Sequence, residues 1–316
     1  MPKKIMNTKK ATHEEWLTAR RLGIGGSDCA CLVNMNPYSG PLTLYSRKLG
    51  LVKEVEDNEA MRLGRDLEQY VADRFMEATG KKVINDNHMY QSDVHPFMLA
   101  DIDRKVVGEN AGFEAKTMGS FSGYNIEAGE IPSHYYCQCQ HYCAVMNFSR
   151  MYIGILVLQK GFYWHTIERD DDFIAALIKA EGDFWNNNII PQKMPMPDGE
   201  PDLDTLKEIY PEGRKDSEIA IFGLDALVRD YRAFSELEKE YKTKAEKIKA
   251  IVCSKLGDYE VGTGDVYGCS WKKQSKVSGY DMARLQADYP NINIDKYKKV
   301  SEYRVFRTKE MKKKEK

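Results

Sequence analysis

The stretch GFEAKTM, residues 112–118, decides the fold. Successive side chains of a strand point to opposite faces, so Phe113 and Ala115 share one face while Glu114 and Lys116 share the other. Taken alone, an acid and an amine two apart are an ordinary solvated strand face. Their neighbours make the difference. Just upstream, PFMLADIDRKVV (96–107) reads as another strand that puts Asp101 and Asp103 on one face, and GENAG (108–112) reads as the turn between the two. If the strands pair as a hairpin, two or three carboxylates converge beside Lys116. Like charges repel unless a cation sits among them, and a hard divalent ion such as Mg²⁺ takes oxygen ligands of this kind.

Farther out, KKVINDNHMYQ (81–91) reads as one more strand, and the segment before it, Asn58 to Gly80, as a long helix. Leu63, Leu67, Val71 and Phe75 recur there at i+4 steps, which places Glu68 on the inward edge. After the strands comes a helix opened by Pro132, with Gln138 and Tyr142 four apart on one face and Gln140 as an alternative to Gln138. RMYIGILVLQ and FYWHTIE follow as strands and DDDFIAALIKAEGDFWNN as a helix. On the amino side, THEEWLTARRL reads as a short helix capped by Thr12. It runs into GIGGSD, where Ser27 or Asp28 can cap the next helix. This order predicts an α/β (α+β) fold with a mixed central sheet flanked by helices.

PQKMPMPDGEPDL (191–203), with four prolines in 13 residues, marks a break in character. The expected domains are 1–198, a linker over 199–217, and an extension over 218–316. In the extension, Leu227, Tyr231, Phe234, Tyr241, Ala245, Ile248 and Val252 follow 4-3 spacing and predict a long amphipathic helix, whose default use is intramolecular packing. YEVGTGDVYGCSWKK predicts a small β-hairpin. From Arg307 the tail has six basic and two acidic residues, a solvated end that can touch a DNA backbone.

The 316 residues suffice for a sizeable core, and 42% hydrophobic with 30% charged residues is an ordinary globular balance. A net charge of -1 gives no global attraction to polyanions, so any such site must be a local patch. The N-terminus lacks the apolar centre of a signal peptide, and no run approaches the ~20 apolar residues of a membrane span, so a cytoplasmic protein without a membrane partner is expected. The seven cysteines are read as reduced thiols. Cys29-x-Cys31 and Cys137-x-Cys139-x3-Cys143 lack the C-x2-C spacing of zinc pairs and fall in helix-like segments where i and i+2 diverge, which argues against a metal set.

In sequence order, RRLGIGGSD (20–28), LGRDLEQYVADRF (63–75), ADIDR (100–104), FEAKT (113–117) and YYCQCQHY (135–142) resemble the YqaJ-type viral recombinases. These are relatives of the lambda-type exonuclease, with a PD-(D/E)XK nuclease core. The resemblance runs from Trp16 to about Pro197. It implies a Mg²⁺-dependent DNA exonuclease, with Mn²⁺ able to substitute, acting on double-stranded ends from 5′ to 3′ in phage-type homologous recombination within a bacterial host. A structure-specific or nicking endonuclease, or a non-catalytic DNA-binding scaffold, is the alternative on the same core.

By residue, the resemblance implies that Asp103, Glu114 and the carbonyl of Ala115 hold the metal and that Glu68 supports a second ion or its waters. Lys116 would orient and help deprotonate the attacking water, while Gln138 and Tyr142 fix Lys116 and its surroundings. Arg20, seven before Ser27, would hold a 5′-phosphate with it, Arg21 being the alternative. The family's metal-binding aspartate is usually followed by glycine. Here Arg104 follows Asp103 and Asp101 precedes it, so both aspartates stand as candidates, with Asp103 in the family's place. A single-strand annealing protein as partner and a ring-shaped trimer are further implications.

Overall fold

The computed structural model describes residues 1–54, 57–120, 123–214, 218–275, 280–299 and 306–308. Two units emerge, Met1–Pro211 and Glu212–Lys316. In the first, the order is β1 (Lys3–Asn7), α1 (His13–Arg20), α2 (Gly26–Cys29), α3 (Pro41–Lys48), α4 (Glu59–Thr79), β2 (Val83–Asn85), β3 (His88–Gln91), β4 (Leu99–Asp101), β5 (Arg104–Val106), β6 (Ala111–Met118), α5 (Ser133–Met146), β7 (Arg150–Val157), β8 (Gly161–Glu168), α6 (Asp171–Phe184) and α7 (Gly199–Ile209).

The alternation read in residues 112–118 is β6, and the rest of the unit is arranged around it. β6 pairs antiparallel with β5 and parallel with β7, within a mixed five-stranded sheet ordered β2-β5-β6-β7-β8. Phe113, fully buried, meets Phe75 of α4 at 4.6 Å between ring centroids, so α4 covers the Phe113 face. Helix α5 covers the other face, where Gln138 reaches Glu114. The ends of α4 follow the sequence: the Asn58 side chain accepts from Met61 N, and Gly80 takes the left-handed conformation that stops the helix.

Both upstream strands are broken in two. The expected strand over 81–91 divides at Asp86-Asn87, where Asn87 has φ 56°, into β2 and β3. The one over 96–107 divides at Ile102-Asp103 into β4 and β5. β3 pairs with both β1 and β4 in a separate three-stranded sheet, β1-β3-β4, while β2 and β5 belong to the main sheet. At Ile102-Asp103 the alternation of buried residues runs on through the corner, so periodicity alone cannot register it, whereas the polar run Asn85-Asp86-Asn87-His88 marks the other corner with turn-forming residues. Asp101 and Asp103 therefore stand on either side of a sheet junction, not on one continuous strand face.

The expected linker is partly structured, and the first unit runs on to Pro211. Residues 199–209 form α7, whose Asp202 is fully buried. Its carboxylate accepts from the amides of Leu42 (3.1 Å) and Thr43 (2.8 Å) and from the Thr43 hydroxyl (2.7 Å). Asp202 thus caps the N-terminus of α3 from a distant point of the chain, matching a negative charge to the positive end of a helix. Gly40 is needed for this approach, since a Cβ there would lie 2.5 Å from an Asp202 oxygen.

In the second unit α8 (Asp225–Leu256) is a 32-residue helix, followed by β9 (Val261–Thr263) and β10 (Gly268–Ser270), paired antiparallel, and α9 (Met282–Asp288). The stripe from Leu227 to Val252 does lie along one helix, but its apolar side chains are exposed. Leu256 at the helix end is buried and packs against Gly262 of the hairpin. Most of the basic tail expected from Arg307 falls outside the described residues. Among the described residues no helix is long and apolar enough to cross a membrane.

Candidate active site

β6 brings its two charged residues together as the alternation requires. Lys116 Nζ donates to Glu114 Oε1 at 2.7 Å, and the ammonium sits 5.0 Å from the centre of the Tyr135 ring. The same Glu114 oxygen accepts from Gln138 Nε2 at 2.7 Å. Gln138 also donates to the Tyr142 hydroxyl (3.1 Å), which in turn donates to the backbone carbonyl of Asp101 (2.9 Å). Gln138 and Tyr142 therefore act on Glu114 and β4, and neither touches Lys116. Gln140 points elsewhere, donating to the Glu168 carbonyl at 2.7 Å.

The junction between β4 and β5 separates the two aspartates chemically. Asp103 Oδ2 accepts from the backbone N–H of Ala115 at 2.8 Å, which holds its carboxylate beside Glu114. Asp101 Oδ2 instead accepts from the indole of Trp16 at 2.8 Å. Burial and the adjacent Glu114 push the Asp103 carboxyl well above the ordinary range. Burial also raises Glu114, against the pull of Lys116. The second Glu114 oxygen, Oε2, is buried with no hydrogen-bond partner. Burial alone would lower the Lys116 ammonium, but Glu114 and Asp103 outweigh it and hold the pKa above normal. Glu68 is bound by Arg104, the residue that stands where the family has glycine.

The glycine loop faces the same space. A cleft of about 400 Å³ is lined by Trp16, Arg20, Ser27, Glu68, Asp101, Asp103, Glu114, Gln138 and Tyr142, among others. Arg20 Nη2 donates to Ser27 Oγ at 2.8 Å and to Asp28 Oδ1 at 3.1 Å, and its guanidinium lies 4.8 Å from the Trp16 ring centre. Arg21 turns away to Glu54. Lys48 of α3, 5% exposed, reaches Asp28 Oδ2 and the Arg20 carbonyl, each at 2.7 Å. Burial would raise the Asp28 carboxyl, but Lys48 and Arg20 overcome it and hold it well below the usual range. The helix expected after the loop is only four residues long, too short to offer a substantial dipole. Gly26 serves packing: a Cβ there would sit 2.5 Å from the Tyr142 ring.

Trp16, Asp28, Lys48, Arg104 and Tyr135 join the site without having been expected there. Trp16 had a local signal, since it lies four residues before Arg20 on one helix face. Lys48 had none.

An aspartate just before β5 and a Glu-x-Lys triplet on its antiparallel neighbour β6, in a mixed sheet with helices on both faces, define an α/β class of core. Within that class, residues 15–149 match the model of the YqaJ-like viral recombinase domain. The chain is also 31% identical over 312 residues, 97% of each protein, to the uncharacterized protein YqaJ of Bacillus subtilis (strain 168). It belongs to the YqaJ-like viral recombinase family. Among solved structures it is similar to an alkaline exonuclease, LHK-Exo, from Laribacter hongkongensis (21% identity, 57% of this chain and 94% of that one, TM-score 0.49). A phage-related exonuclease from Haemophilus somnus 129PT is also similar (13% identity, 56% and 99%, TM-score 0.42).

Proposed function

We propose that the protein is a divalent-metal-dependent deoxyribonuclease that degrades duplex DNA from an end, 5′ to 3′, in recombination of the phage type. The observation that carries this reading is that the Asp103–Glu114 pair and the Arg20–Ser27 pair line one cleft. Chemistry at a chain end needs both a place to cut and a place to hold the terminus.

The carboxylate cluster fits a hard cation. Glu114 Oε2 is buried without a partner, burial and Glu114 raise the proton affinity of Asp103, and burial, with smaller contributions from Glu68 and Asp101, raises that of Glu114. Such crowding favours an oxygen-binding ion, Mg²⁺ with Mn²⁺ able to replace it. Asp103, Glu114 and the carbonyl of Ala115 would hold it, with Glu68 at the margin in competition with Arg104. When bound, such an ion supplies Lewis-acid polarisation of the scissile phosphate and lowers the pKa of nearby water. Lys116, kept as an ammonium, donates hydrogen bonds that orient the attacking water and offset charge on the phosphoryl oxygens. A part in deprotonating that water requires the field of the two carboxylates to be offset first. Gln138 fixes Glu114, and Tyr142 fixes Gln138.

Arg20 spends one nitrogen on Ser27 and Asp28 and keeps others for a terminal phosphate, a dianion that suits a guanidinium fork. A single-strand annealing partner and a ring-shaped trimer belong to the same reading.

The test is digestion of end-labelled linear and covalently closed circular DNA, each with Mg²⁺ and with chelator. Loss of label from linear DNA in Mg²⁺ alone is expected, faster for 5′-phosphate than for 5′-hydroxyl ends. The Arg20→Ala, Ser27→Ala double variant should lose that preference while Mg²⁺ binding remains. Equal attack on closed circles would replace the exonuclease with an endonuclease, and no cleavage of either would leave a binding protein.

A further inference from the structure

Two of the cysteines that the nuclease reading leaves unused converge behind the cleft. Cys29 of α2 and Cys137 of α5 put their sulfur atoms 3.3 Å apart, and both are free thiols. One turn along α5, His141 Nδ1 lies 2.8 Å from Glu181 Oε1 of α6. Ligand atoms of Cys29, His141 and Glu181 all fall within 4.8 Å of one another. All four residues are 0% exposed.

Three features separate this group from an ordinary buried polar pair. His141 Nε2 faces the Leu99 carbonyl at 2.8 Å, and a carbonyl only accepts, so Nε2 carries the proton. That leaves Nδ1 turned into the cluster, the way an outer carbonyl orients a metal-ligating histidine. Glu181 Oε2 is buried with no partner, although buried carboxylate oxygens are nearly always satisfied. Cys137 Sγ is not within 4.8 Å of all three and joins the group through Cys29, so it must draw inward on loading to complete a set of one nitrogen, one oxygen and two sulfurs, which suits a borderline-soft ion far better than Mg²⁺.

We propose that Cys29, Cys137, His141 and Glu181 form a closed, structural Zn²⁺ site. Tetrahedral zinc places its donors about 3.3–3.8 Å from one another, so loading opens the sulfur–sulfur and nitrogen–oxygen approaches by about half an ångström. The Cys29 and Cys137 thiolates and the Glu181 carboxylate set three negative charges against the two of the ion, with the neutral His141 imidazole as the fourth donor. Loading releases protons and moves no electrons. The four ligands leave no open position, which assigns the ion to scaffolding and keeps it out of the chemistry. It ties together the segments that carry Ser27 and Gln138, and through the Leu99 carbonyl it also holds β4, which ends at Asp101.

The test reads metal, not cleavage, so it stands whether or not the nuclease assignment does. Protein expressed with zinc and purified without chelator is expected to hold about one zinc per chain by mass spectrometry. Expression with Co²⁺ should give the near-ultraviolet sulfur-to-cobalt band and visible bands of a tetrahedral site. The Cys29→Ser, Cys137→Ser double variant should lose both signals. Glu181→Gln should weaken retention about 10–100-fold, whereas Cys139→Ser, another buried cysteine, and Glu114→Ala should keep the zinc. Wild-type protein with under ~0.1 zinc per chain and no cobalt band overturns the proposal without recourse to any variant. A Cys29–Cys137 disulfide in zinc-free protein, or equal zinc loss in Cys139→Ser, overturns it as well.

Discussion

The two halves of the cleft treat charge in opposite ways. The Asp28 carboxylate is fully satisfied: Lys48 and Arg20 both reach it, and Gly25 N–H adds a third donor at 3.0 Å. Around Asp103 the anions outnumber the cations within reach, and one oxygen of Glu114 has no partner at all. The first half is a finished network whose worth lies in holding shape. The second is a frustrated one, stable only because the rest of the fold imposes it, and such strain is where binding and chemistry are usually found.

The strongest way to break this contrast is through Lys116. If the frustrated half does the chemistry, Lys116→Ala lowers turnover about 10²–10⁴-fold, while calorimetry shows Mg²⁺ binding retained. Glu114→Ala should lose both turnover and Mg²⁺ binding. A Lys116 variant of near-normal rate would remove the residue from the mechanism and leave the two halves alike.

The next largest effect belongs to the finished half. Asp28→Ala strands the buried Lys48 without its counter-charge and should cost about 3–5 kcal/mol at neutral pH in urea unfolding. The folded pKa of Asp28 is depressed, so its contribution is complete above the unfolded value near ~3.9 and fades as pH falls through the folded one. The gap between wild type and variant should accordingly narrow in acid. A constant gap would mean that packing, not charge, sets the loss.

The smallest effect has the opposite sign. Asp103 has a raised folded pKa, so ionising it within the fold costs stability. That cost is absent below the unfolded value near ~3.9 and grows as pH rises through the folded one. Asp103→Asn keeps an oxygen for the Ala115 N–H, and in chelator at neutral pH it should stabilise the protein by about 1–2 kcal/mol. Melting temperatures with and without chelator check this. A variant less stable than wild type would show that the second half is not frustrated.

Much of this was legible because it is local. The alternation over 113–116 required Glu114 and Lys116 to share a face, whereas Arg20 was set apart from Arg21 only by the family resemblance. Gln138 could be told from Gln140 only through Glu114, which is a matter of tertiary register. The strand break at Ile102-Asp103 was hidden because the alternation of buried residues runs on through the corner, while the one at Asp86-Asn87 was signalled by the turn-forming run Asn85-Asp86-Asn87, which a reading as one strand passed over. β1, with three of its five residues polar, carries little strand signal. Helix α7 was concealed by prolines and acids that look like a linker, and its buried Asp202 is recognisable only from Leu42 and Thr43. The spacings within the two cysteine groups gave no sign that Cys29 meets Cys137, one from each group, across the fold.

The capping of α3 by Asp202 also sets an order of events on the ribosome. Leu42 and Asp202 are 160 residues apart, so the start of α3 leaves the exit tunnel long before its acceptor has been translated. During that interval two backbone amides and a hydroxyl await a carboxylate that does not yet exist, and α3, which bears Lys48, cannot be fastened at its leading end. A nascent chain can thus fasten the start of α3, and with it the helix that bears Lys48, only when about two thirds of it has been made.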